Sequence, residues 1–172
     1  MTESDQPQLP RAEHSTPLTP VASRRTPLPL AGRERTGWRL AALVLILRAC
    51  RGRSATVEQL HVLMWYLRDD ANAATLLAVW NGPASAQRSL RAFDPLLDDI
   101  LSLARASGLV EQQQSGRQAL SAAGGTLADA FRSEGLMEVE QRLLVQLGNI
   151  SESGMWQRLG EPGSQRLSRR LA

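Results

Sequence analysis

Asp94-Pro95-Leu96-Leu97-Asp98-Asp99-Ile100-Leu101-Ser102-Leu103-Ala104-Arg105-Ala106-Ser107-Gly108 decides the fold, together with the downstream Leu109-Val110, the polar turn Glu111-Gln112-Gln113-Gln114-Ser115-Gly116, and Gln118-Ala119-Leu120. An acid followed by proline is a helix start, because the side chain caps a free N–H and proline lacks one. Leu96, Leu97, Ile100, Leu101, Leu103 and Ala104 are expected to point inward, with Asp98, Asp99, Ser102 and Arg105 outward. Ser107-Gly108 closes the helix, with glycine in the left-handed position. Two short apolar runs around a glycine-containing turn then spell a hairpin. Ser121 caps a further helix that turns Leu127, Ala128 and Phe131 to the core, and Gly124-Gly125 permits close backbone approach there. Helix, strand, turn, strand, helix is the order of a winged-helix domain, and such domains read DNA or clamp a protein partner.

Upstream, a helix is expected over 38–51. Leu40, Leu43, Val44, Leu47 and Cys50 share one face, and Leu45 and Ile46 widen it until most of the helix must be covered. Arg48, Arg51 and Arg53 gather at its C-terminal end, where cations complement the dipole. Thr56 and Gln59 stand in the relation of a capping box ahead of a second helix reaching Leu67. A third helix is expected over 72–80, stopped by Asn81-Gly82-Pro83, and a weaker helical segment over 84–91. Downstream, Leu136, Val139, Glu140, Leu143, Leu144 and Leu147 outline an amphipathic helix that either folds back on the first helix or serves a partner.

These elements give a mostly α chain: a winged-helix-like domain with a short β-hairpin, extra N-terminal and C-terminal helices and disordered tails. Residues 1–35 read as a disordered arm, because six prolines between Pro7 and Pro29 let no helix or strand run on. Residues 36–148 form the helical domain. Residues 149–172 read as a flexible tail, with Met155, Trp156 and Leu159 as a segment fit to dock on this domain or on a partner.

Charge argues against a simple DNA reader. All 20 basic residues are arginine and the net charge is +3, which looks like a nucleic-acid binder. Between Gly37 and Gly148, however, eleven arginines meet eleven acids, so the excess lies in the tails. A domain held to duplex by its phosphates needs a basic surplus on its folded part. The helix that would enter the major groove instead offers Asp98 and Asp99 where base edges and phosphates ask for Arg, Asn or Gln. Arg88, Arg91 and Arg117 are the best candidates for any DNA contact.

Catalytic chemistry has little to work with. With two histidines and one cysteine, no nucleophile triad or metal site with ligand spacing can be assembled, so neither a cofactor nor an enzymatic activity is expected. His61, beside Trp65 and Tyr66, reads as a packing histidine. Gly124-Gly125 lacks the lysine of a phosphate-binding loop. The longest apolar run, 40–47, is far short of the roughly 20 residues that cross a bilayer. The start of the chain has no export signal, and the lone Cys50 fits a reducing compartment, so a cytoplasmic location is expected.

Thr26-Pro27-Leu28-Pro29-Leu30, Arg39-Leu40-Ala41-Ala42-Leu43-Val44-Leu45-Ile46-Leu47-Arg48-Ala49-Cys50, Asp94-Pro95-Leu96-Leu97 and Ala106-Ser107-Gly108-Leu109-Val110 together resemble the small middle components of bacterial three-component ABC or SMC-type ATPase systems, including Lamassu-like antiphage systems. The resemblance spans roughly residues 26–132 and contains no catalytic motif. It implies a winged-helix-like, non-catalytic adaptor that joins an SMC-like ATPase to an effector in defence against phage or plasmid DNA. With the neutral core, the short apolar runs and the lack of a catalytic constellation, DNA is expected to be met only through the complex, with no membrane and no small-molecule substrate. Leu28, Leu30, Asp98, Asp99, Leu136, Val139, Leu143, Met155 and Trp156 are the expected partner-binding residues. The alternative is a winged-helix transcription regulator.

Overall fold

The computed structural model describes residues 36–82 and 93–160. The expected arm, Leu28, Leu30, the helical segment 84–91 with Arg88 and Arg91, and the segment 161–172 lie outside the described residues. Among the described residues, seven α-helices and one small sheet run in the order α1 (Thr36–Ala49), β1 (Ser54–Ala55), α2 (Val57–Leu67), α3 (Asp70–Asn81), α4 (Leu97–Ala106), β2 (Val110–Gln112), β3 (Gln118–Leu120), α5 (Ala122–Ser133), α6 (Glu138–Leu147) and α7 (Glu152–Leu159). The fold is mostly α and winged-helix-like. No described helix is long and apolar enough to cross a membrane.

Helix α1 is the axis of the domain. Residues 41–47 are all buried, because α2, α4, α5, α6 and the sheet pack around it on every side. A helix apolar all round can be stable only when covered all round. Beyond it, Gly52 takes φ 71 and Arg53 φ 52, a left-handed pair that turns the chain sharply into β1.

The sheet is antiparallel with order β1-β3-β2, so the expected hairpin carries a third strand that was not expected. Two residues, Ser54 and Ala55, are too few to show any alternation; they become a strand only because β3 lies beside them. Thr56 then caps α2 through a complete capping box: its hydroxyl accepts from Gln59 N at 3.3 Å, and Gln59 Oε1 accepts from Thr56 N at 3.0 Å. Ser121 caps α5 by accepting from Gly124 N. A Cβ on Gly124 would stand 2.3 Å from the Leu109 carbonyl oxygen, so glycine is required where α5 meets the chain entering β2.

Two expectations need correction. Asp94 is not the N-cap of α4. The helix begins at Leu97 after a turn, and the Asp94 carboxylate is buried, accepting from Leu96 N and pairing with the buried Arg39 guanidinium. The charge that would cap a helix is instead fixing that helix's entry to α1. Residues 149–160, expected as the start of a flexible tail, are built into the domain. Ile150 forms a parallel bridge with Cys50, and Ser151 caps α7, which buries Met155 and Leu159 completely or nearly so. Spaced four residues apart, these two side chains reach the domain from one helix face.

Candidate interaction surface

In a winged helix the element before the hairpin is the one offered to a ligand, and α4 occupies that place. Leu97, Ile100, Leu101 and Ala104 hold it to the core. Leu96 and Leu103, expected inward, are turned out instead, 43% and 40% exposed. The inward arc of a ten-residue helix is about four residues wide, and positions 97, 100, 101 and 104 already fill it. What remains outward is Leu96, Asp99, Leu103 and Ala106 at spacings of three, four and three. That is the spacing of a coiled-coil seam.

The one charge on this face, Asp99, is acidic. Asp98 and Asp99 are exposed in the first turn of α4, where acids complement the helix dipole, and neither has a partner among the described residues. Arg105 is drawn off the face, donating to Gln118 Oε1 at 3.2 Å and Ser102 Oγ at 3.3 Å. Next to the helix start, Phe93 is 62% exposed and stacks on the His61 ring at 4.5 Å between centroids. His61 Nδ1 accepts from Asp94 N, so the imidazole props the turn leading into α4. Its role is packing, with one ring nitrogen already engaged.

Arg117, a candidate DNA contact, is committed elsewhere. Its guanidinium donates to Glu152 at 2.6 Å, to the Ser54 carbonyl at 3.0 Å and to the Ser54 hydroxyl at 3.3 Å. It ties β1, β3 and the start of α7 together, so reaching a phosphate would break that join. The remaining partner candidates divide by burial. Leu143 and Met155 belong to the core and are closed to a partner, and Trp156 is half-buried. Leu136 and Val139 are 45% and 51% exposed. Helix α6 folds back on α1 through Leu143, Leu144 and Leu147, and Glu140 of its inner edge accepts from Trp38 Nε1 at 2.9 Å.

No family model, curated protein or solved structure matches the chain.

A cavity of about 340 Å³ opens between α1, α5 and α6, floored by Leu45, Ala128 and Leu144. Its rim carries Arg48 paired with Asp129 at 2.6 Å. Among the described residues no group of three His, Cys, Asp or Glu is placed to hold a metal ion. Cys50 is buried, and desolvation, only partly opposed by the Arg117 charge, pushes its thiol up to about 12. It is a packing residue at neutral pH, not a nucleophile. The surface feature that sequence reasoning missed is therefore the leucine pair of α4. Helical spacing alone does not show it, since a leucine on an amphipathic helix counts as core until positions 97, 100, 101 and 104 are seen to fill the inner face.

Proposed function

We propose that the chain is a non-catalytic adaptor subunit, joining an SMC-like ATPase to an effector in a bacterial anti-phage or anti-plasmid defence complex in the cytoplasm. The observation that supports this best is the outward face of α4, where two exposed leucines flank the exposed Asp99 carboxylate at the position a DNA reader would fill with cations. A ridge of this kind buries well against a partner protein and repels a phosphate backbone. The identity of the partner rests on the resemblance of residues 26–132 to the middle components of such systems. DNA is then met through the complex.

Co-expression with an ATPase encoded by a neighbouring gene tests the reading. A stable complex is expected, weakened by Leu103→Glu, and failure of any such ATPase to co-purify would sink it. The competing reading, a winged-helix transcription regulator, has the fold and exposed Arg51 and Arg53 in its favour. It requires sequence-dependent duplex binding with a steep salt slope. A specific shift on promoter DNA at moderate salt would establish that reading instead.

A further inference from the structure

The α4 ridge presents an apolar, acidic, apolar order, Leu96, Asp99 and Leu103, while Asp98 lies about 100° further round the helix. Leu96 and Leu103 are seven residues apart, about 10 Å along a helix. A second copy of the same ridge is a poor occupant, because it would set Asp99 against its own like charge. The best occupant carries two apolar side chains roughly 10–13 Å apart, a spacing leucine side chains can bridge, with a cation between them.

The chain contains such a segment. Beyond the last described helix, Arg166-Leu167-Ser168-Arg169-Arg170-Leu171 holds two leucines and three arginines, and residues 162–172 contain no acid. Laid extended, Leu167, Arg169 and Leu171 share one side, and the leucines stand about 13 Å apart. Leucine, arginine, leucine on that side complements leucine, aspartate, leucine on the ridge. Reach allows it. Eight residues lie between Gly160 and Arg169, an extended span of about 30 Å, comparable with the width of a domain of this size.

We infer that the segment 166–171 docks in cis on the outward face of α4, Leu167 and Leu171 against Leu96 and Leu103, and Arg169 on Asp99. The inference goes beyond the adaptor reading and does not depend on it. Where a partner uses the ridge, the segment competes for it. Exposed ion pairs are individually weak and salt-sensitive, so the docked state is an adjustable cover and not a fixed part of the core.

The test is a nitroxide on Ser168→Cys in the full chain, where the buried native Cys50 is protected from the label, read by broadening of backbone amides. Broadening confined to 93–106 is expected. It should fall severalfold in half-molar salt and vanish with Leu103→Glu or with Arg169→Glu, R170E. The unbroadened spectrum of each variant reports that the fold is intact. A uniform spectrum with no broadened amides would overturn the inference, as would broadening centred on Leu136 and Val139. Broadening seen only between a labelled chain and a second, isotopically enriched copy would also overturn it, by placing the segment in trans. Co-purification with an ATPase is a separate readout, so the failure of either proposal is distinguishable from that of the other.

Discussion

Helices α4 and α6 are both ten residues long, both amphipathic, and both plausible partner surfaces by composition. They end differently. Helix α6 commits Leu143, Leu144 and Leu147 to α1, and its exposed Val139 and Val145 lie six positions apart, on different sides of the helix. Helix α4 commits a similar inner face, yet its exposed Leu96 and Leu103 lie seven positions apart, in line. Isolated exposed apolar side chains are ordinary on any protein surface. An aligned pair with a carboxylate between is a surface with a direction. Register, not the number of leucines, separates a closed helix from an open one.

If that contrast is right, changes on the closed side should be costly and changes on the open side nearly silent. The largest effect is expected from Asp94→Ala, which strands the buried Arg39 charge. About 3–5 kcal/mol of stability should be lost in urea denaturation, and a loss below about 1 kcal/mol would mean that the pair is not holding α4 to α1. Leu144→Ala, on the closed face of α6, should cost about 2–5 kcal/mol by the same measurement. An effect as small as a surface substitution would break the comparison from the α6 side.

Alkaline pH probes the interior without mutation. Cys50 keeps its proton up to about 12 in the folded chain against 9.0 unfolded, and burial raises Tyr66 from 10.0 to about 12. Between pH 9 and 12 the unfolded chain therefore binds fewer protons than the folded one, and stability must fall as pH rises. At about pH 10 the loss should be about 1–2 kcal/mol. Cys50→Ala, compared with its parent at about pH 8 and about pH 10, should remove most of the slope. Thr56→Ala deletes one half of the capping box and should cost about 1 kcal/mol, visible as a lower thermal midpoint. Smallest of all, Leu103→Ala should change stability by no more than about 0.5 kcal/mol, and a larger loss would mean that the α4 ridge belongs to the core.

Local signals carried much of the fold. Thr56 with Gln59, Ser121, and Gly108 at φ 67 each act within one turn of chain, so the sequence shows them directly. The burial of residues 41–47 was legible because no other environment suits such a run. Strand β1 and the bridge from Cys50 to Ile150 were not legible, since each depends on a neighbour far away in the chain, while the apolar cluster of Met155 and Leu159 marked a docking segment without showing that its seat is this domain. Asp94 shows the same limit: its sequence neighbours read as a cap, while its true partner, Arg39, lies 55 positions away. Of the site, the exposure of Asp98 and Asp99 could be read from helical spacing. The outward turn of Leu96 and Leu103 could not, because an apolar residue on an amphipathic helix is assigned to the core until the core is seen to be full.

The most direct test of the α4 ridge as a protein-docking surface is a calorimetric titration of a purified ATPase encoded by a neighbouring gene, the proposed partner, with wild-type chain and with Leu103→Glu. Wild type is predicted to bind and the variant to lose at least about tenfold in affinity, about 1.4 kcal/mol, with an unchanged thermal midpoint. Equal affinity of the two proteins for the ATPase would contradict the account.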